Sequence, residues 1–133
     1  MGFLIDTCIW IAVERGQISV ADVQAVTKSE PVFIPPVTIA ELRMGVELMS
    51  DQNQRLKSSA ALRRLKRMPM LRIDWETGEA FGTLAAQLAK ARRGHEFRVQ
   101  DLWLAALAIQ RRFKLLTQNE KDFKVFPALI WWL

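Results

Sequence analysis

Phe3, Leu4 and Ile5 form an unbroken apolar run, and Thr7 to Val13 carries apolar residues too densely for a loop. A short buried strand therefore turns directly into a helix, with the acid Asp6 left at the junction. The alternation continues down the chain. Ser19 or the nearby Asp22 caps a second helix through about Lys28, and Pro31 to Pro36 reads as a strand closed by prolines. Thr38 is the expected cap of the next helix, in which Ile39, Leu42, Val46 and Met49 make one apolar stripe. Asp51 begins a strongly basic helix, where Leu56, Ala60, Leu62 and Leu65 punctuate Arg55, Lys57, Arg63, Arg64, Lys66 and Arg67, and Pro69 marks its end. A third strand over Leu71 to Trp75 is followed by a helix from Glu76 to Arg93, closed by Gly94. The most apolar helix runs from about Val99 to Phe113, with strands over Lys114 to Thr117 and within Ala128 to Leu133. Strands alternating with helices predict an α/β fold, a three-layer α/β/α sandwich with a mainly parallel central sheet.

The remaining bounds are narrow. A chain of 133 residues, half of them hydrophobic, suits one domain spanning residues 1–133 around one core. Cys8 is the single cysteine and His95 the single histidine, which excludes an internal disulfide and a Cys/His zinc cluster and fits a reducing cytoplasm. The longest apolar run, Leu102 to Ile109, falls far short of the ~18 residues of a membrane span, so no membrane association is expected. A net charge of +5 and a pI near 9.9 favour polyanionic or acidic partners.

Against this frame several acids stand in apolar surroundings, where charge is costly unless something pairs with it. Asp6 and Asn119 both fall just beyond strands, at the carboxyl ends where parallel sheets gather their sites. Asp101 has Ala105 and Ala108 four and seven residues on, so its helix face can approach a strand end closely; Glu41 has Gly45 four residues on. Asp122 follows Asn119 in the same polar loop. Taken singly, each has a plain structural role: Asp6 a helix cap, Glu41 a solvated helix acid, Asp101 a first-turn acid, Asp122 a turn residue. As a set they repel one another and call for a compensating cation. Hard oxygen donors suit Mg²⁺ or Mn²⁺, and such an ion points to hydrolysis of a nucleic acid. One histidine leaves a Ser-His-Asp triad without support. Trp10, Trp103, Trp131 and Trp132 read as core or dimer packing.

Four segments in order carry a resemblance: Leu4-Ile5-Asp6-Thr7 with Ile9; Val37-Thr38-Ile39-Ala40-Glu41-Leu42 with Gly45; Asp101-Leu102-Trp103-Leu104-Ala105-Ala106; and Leu116-Thr117-Gln118-Asn119 with Asp122 and Phe123. Together they resemble the PIN domain, in order and spacing the VapC toxins of toxin–antitoxin pairs. The resemblance implies a metal-dependent endoribonuclease of the cytoplasm in which Asp6, Glu41 and Asp101 hold Mg²⁺ or Mn²⁺ and a water attacks the RNA phosphodiester. Glu41 is then a ligand or a base acting through water, and Asp122 or Asn119 completes the site. Thr7 and Thr117 are expected to orient water around the ion. The resemblance also implies a small cognate antitoxin and a homodimer. Val99 stands where many members carry another acid, so a one-metal site is the fallback. Arg63, Arg64, Lys66 and Arg67 are expected either as a solvated face or in contact with RNA phosphates or an acidic antitoxin segment. The alternative is a non-catalytic PIN-like domain that binds RNA or protein.

Overall fold

The computed structural model describes residues 2–94, 97–119 and 123, and the backbone of 130–132. Its elements in chain order are β1 (Phe3–Ile5), α1 (Thr7–Glu14), α2 (Val20–Thr27), β2 (Val32–Phe33), α3 (Pro36–Leu48), α4 (Gln52–Leu65), α5 (Trp75–Lys90), α6 (Val99–Arg111), β3 (Lys114–Thr117) and β4 (Ile130–Trp132). The strands form one parallel sheet in the order β2-β1-β3-β4. Because side chains alternate across a strand, the apolar run of β1 feeds two cores. Leu4, with Leu115 of β3, packs among Leu84 and Leu88 of α5 and Leu104 and Leu107 of α6. Phe3 and Ile5, with Leu116, turn the other way onto Ile9 of α1 and Val23 of α2. Both faces of the sheet are thus covered by helices, which is the three-layer sandwich expected from the alternation. Gly2 lets the chain enter β1 beside β2, since a Cβ there would lie 2.8 Å from the Pro31 carbonyl oxygen.

Several local expectations hold. Ser19 and Asp22 both cap α2, reciprocally: the Ser19 hydroxyl accepts from the Asp22 N–H at 3.1 Å and the Asp22 carboxylate from the Ser19 N–H at 3.0 Å. Asp51 caps α4, accepting from the Asn53 N–H at 3.2 Å. Lys114–Thr117 is a strand with the predicted bounds.

Others are corrected. Residues 71–74 form no strand: a single parallel bridge joins Met70 to Ile34, and Asp74 then caps α5 through a reciprocal pair with Thr77. Helix α3 starts at Pro36, where proline's missing N–H costs nothing, so Thr38 lies inside the helix, fully buried, instead of capping it. Helix α5 ends at Lys90, before Gly94, and Arg92 takes the left-handed conformation at φ 57°. Arg112 ends α6 in the same way, ahead of Phe113. On α4, Leu56 is exposed and Ser58 takes the inward position, bonded to Glu14. Trp10 and Trp103 are partly buried, and the Trp103 ring packs on Phe81 with centroids 4.2 Å apart. The expectations for Trp131 and Trp132 concern side chains outside the described residues, as does that for His95. Among the described residues, no helix is long and apolar enough to cross a membrane.

Candidate active site

The central strands β1 and β3 end side by side, and the site grows from those ends. The Asp6 N–H donates to the Leu116 carbonyl at 2.9 Å, continuing the ladder one step past β1. Asp6 occupies the N-cap position of α1, yet its side chain makes no capping hydrogen bond. Its Oδ2 instead accepts from the Thr117 hydroxyl at 2.8 Å and from the Cys8 thiol at 3.2 Å. The carboxylate is 2% exposed. Burial that deep is costly for a charge unless hydrogen bonds satisfy it, and the end of β3 supplies one. The Thr117 oxygen also accepts the Asn119 N–H at 2.9 Å, so one buried hydroxyl ties Asp6 to the turn that carries Asn119.

Glu41 comes from α3, which crosses near the start of α1. The Thr7 hydroxyl donates to Glu41 Oε1 at 3.0 Å, across 34 residues of sequence. Burial pushes the Glu41 carboxyl above its ordinary range. The Thr7 hydrogen bond and the Arg98 charge pull it down, while the charges of Asp6 and Asp101 push it up. Those opposing influences put Asp6, Asp101 and Arg98 within electrostatic reach of one carboxyl group.

Asp101 sits in the first turn of α6, three residues after the N-cap Arg98, where the helix dipole favours an anion. It is fully buried, packed into the helix beside Ala105 and Ala108, themselves buried. Arg98 forks onto it: Nε donates to Oδ2 and Nη2 to Oδ1, both at 3.0 Å. Among the described residues, no three His, Cys, Asp or Glu side chains gather closely enough to hold a metal ion.

The structure therefore joins Asp6 with Thr117, Thr7 with Glu41 and Asp101 with Arg98. Thr7 and Thr117, expected to orient water, spend their hydroxyls on Glu41 and Asp6. Asn119 is half-buried beside Thr117, and Asp122 lies outside the described residues. Arg63, Arg64, Lys66 and Arg67 are exposed on α4 and just past it, apart from the hydrogen bonds that hold the acids. Sequence reasoning did not single out Arg98 or Cys8. The signal for Arg98 was present, since Arg three residues before an Asp at a helix start is a spacing that pairs them. Cys8 has no such signal; burial and the neighbouring Asp6 charge push its thiol up to about 11. A cleft of about 300 Å³ between α1, α3 and α4 is lined by Glu41 together with Trp10, Gly45, Val46, Ser58 and Leu62.

Comparison with known proteins shows the family and the fold. The PIN domain family profile matches residues 3–129. The chain is 33% identical over 130 residues to "Ribonuclease VapC" of Rickettsia bellii, covering 97% of this chain and 93% of that one. The crystal structure of VapBC-5, a member of the VapBC family of toxin–antitoxin systems from Mycobacterium tuberculosis, superimposes with a TM-score of 0.78 at 28% identity, covering 99% and 97% of the two chains. VapBC2 of Rickettsia felis, solved bound to a DNA fragment from its promoter, shares the fold with a TM-score of 0.84 at 20% identity, covering 100% and 99%. The chain belongs to the PIN-domain family and is a homologue of the VapC toxins of type II toxin–antitoxin systems.

Proposed function

We propose that the protein is a metal-dependent endoribonuclease that acts as the toxin of a toxin–antitoxin pair, hydrolysing RNA phosphodiester bonds at the acid just past β1 and those of α3 and α6. The observation that carries this reading is the burial of Asp6 and Asp101, 2% and 0% exposed, within electrostatic reach of a third acid held by Thr7. Buried carboxylates cost stability, and a domain that bound RNA only through its basic surface would have no use for them. They therefore argue against the non-catalytic alternative, as do relatives that are ribonucleases.

The chemistry of the donors suits a hard divalent cation, although the described acids do not by themselves gather closely enough to hold one, so the site needs a further ligand or a shift of these side chains. The donors are carboxylate oxygens, hard ligands of the kind such ions take; the Glu41 carboxyl is raised chiefly by burial, with a smaller push from the charges of Asp6 and Asp101. Asp6, Asp101 and Glu41 would hold Mg²⁺ or Mn²⁺, with Asp122 or Asn119 completing the set. Such an ion supplies polarisation of the phosphodiester and a more acidic water. The chain's own residues do the rest. Thr117 fixes the orientation of Asp6. Thr7 aims the Glu41 carboxylate, whose raised proton affinity makes it a better acceptor for a proton from the attacking water. The net charge of +5 attracts the RNA backbone, and the exposed Arg63, Arg64, Lys66 and Arg67 are candidates for phosphate contacts.

The partner in this reading is a small cognate antitoxin, supported by the relatives solved as toxin–antitoxin pairs. The cleft lined in part by Glu41 would let such a partner cover a site acid. The protein works as a homodimer of single PIN domains over residues 1–133, in the cytoplasm. Cleavage of total cellular RNA tests the activity, using antitoxin-free protein with Mg²⁺ or Mn²⁺, with EDTA, and with Asp6→Asn in parallel. Discrete, metal-dependent fragments that are absent from the variant are expected. Equal cleavage by Asp6→Asn would refute the site.

A further inference from the structure

Asp101 poses a problem that the proposed reaction does not solve. A fully buried carboxylate with no counter-charge would be destabilising by several kcal/mol at the order of magnitude, so a protein that must fold before it meets a metal ion needs another cation there. Arg98 fills that place. Its guanidinium engages both Asp101 oxygens at 3.0 Å in a two-point fork, and its charge also acts on Glu41. The two partners differ sharply in burial: the Asp101 side chain is 0% exposed and that of Arg98 53%. Asp101 cannot leave without dismantling the first turn of α6, whereas the guanidinium of Arg98 already borders water, where a charged head can be solvated.

We propose that Arg98 is a displaceable internal counter-ion, which holds Asp101 while the site is empty of metal and which a divalent cation must evict in order to bind. The inference rests on the reading of Asp6, Glu41 and Asp101 as a cation site. A guanidinium forked on both oxygens and a divalent cation compete for the same lone pairs and repel each other. Arg98 therefore weakens metal binding while stabilising the metal-free protein. It is a positioning residue that sets how much free metal the enzyme needs.

The test is calorimetric titration of the EDTA-stripped full chain with MnCl₂, alongside metal-free thermal melts, for wild type, Arg98→Gln, Arg98→Lys and Asp101→Asn. Arg98→Gln is expected to bind Mn²⁺ about tenfold more tightly, the low end for a charge-assisted pair exposed on one side, and to melt lower without metal. A variant merely damaged in structure would bind more weakly, so a gain in affinity separates the two accounts. Arg98→Lys keeps the charge and loses the fork; it should lie between wild type and Arg98→Gln, and it carries the test if Arg98→Gln fails to fold. Equal or weaker Mn²⁺ binding in the folded Arg98 variants would overturn the role of Arg98 and leave the cation site standing. Binding that survives undiminished in Asp101→Asn, or is absent from every protein, would overturn the role of Arg98 and the reading of Asp101 as a ligand together.

Discussion

Replacing Thr117 by valine tests whether the site is held by hydrogen bonding rather than by shape. Valine keeps the volume and the branched Cβ that suit a central strand, so packing at this fully buried position is preserved. Two hydrogen bonds disappear, the 2.8 Å donation to Asp6 and the 2.9 Å acceptance from the Asn119 N–H. The first goes to an ionised group and contributes about 1.5–3 kcal/mol, and the half-buried amide adds about 1 kcal/mol. The sum is a destabilisation of roughly 2.5–4 kcal/mol. For a chain of this length that corresponds to a fall in Tm of roughly 10 °C. Urea unfolding of the metal-free protein measures it, with Thr117→Ser as the control, since serine retains the hydroxyl and loses one methyl group, worth about 1 kcal/mol. Cleavage should fall in the valine variant and survive in the serine one. A valine variant as stable as wild type, or a serine variant equally damaged, would show that the hydroxyl does not hold Asp6.

Thr7→Val removes the donor that favours ionised Glu41, so the Glu41 pKa should rise further, and the acid limb of the pH–rate profile for a fluorogenic RNA should move to higher pH. An unmoved limb would disconnect Glu41 from proton transfer. Glu41 itself should cost stability at neutral pH. Its folded-state pKa lies above the ordinary 4.5, so its contribution is fully present below about that pH and is lost as pH rises through the raised value. Glu41→Gln should therefore melt above wild type at pH 7 in EDTA, with the gap closing as pH falls toward 4; a gap that widened on acidification would reverse the sign and sink the argument. Cys8, with its thiol pushed up to about 11, should react with iodoacetamide at pH 8 far more slowly in the native protein than in urea, and equal rates would contradict its burial against Asp6.

Much of this architecture was legible because its signals are local. The apolar run of β1, the capping pair Ser19 and Asp22, and Asp51 ahead of the basic helix each announce an element within a few residues. Thr38 misled because Pro36, two residues earlier, is itself well suited to begin a helix and took the start. Leu71 to Trp75 had the composition of a strand. But the sheet's edge strand β2 is only two residues long and offers a single bridge at Ile34, and Trp75 is 94% exposed at the head of α5. The individual acids were legible by their setting in apolar sequence. What held them was not, because the pairs Thr117 with Asp6 and Thr7 with Glu41 join residues 111 and 34 positions apart and leave no periodic trace. Arg98 and Asp101 are the exception: an arginine three residues before an acid at a helix start is a local pairing that the sequence itself displays.

The strand order has a consequence for how the protein is made. β1 is the first element of the chain, yet its partner β3 begins at Lys114, and Asp6 receives its hydroxyl from Thr117 only when that strand is in place. A growing polypeptide that stops short of residue 114 has one edge of its central strand bare and its first acid unsupported. Such long-range closure also makes folding slow relative to local helix formation. Under the proposed reading, a nuclease truncated before Thr117 would lack the hydroxyl that holds Asp6, and such products would be born harmless.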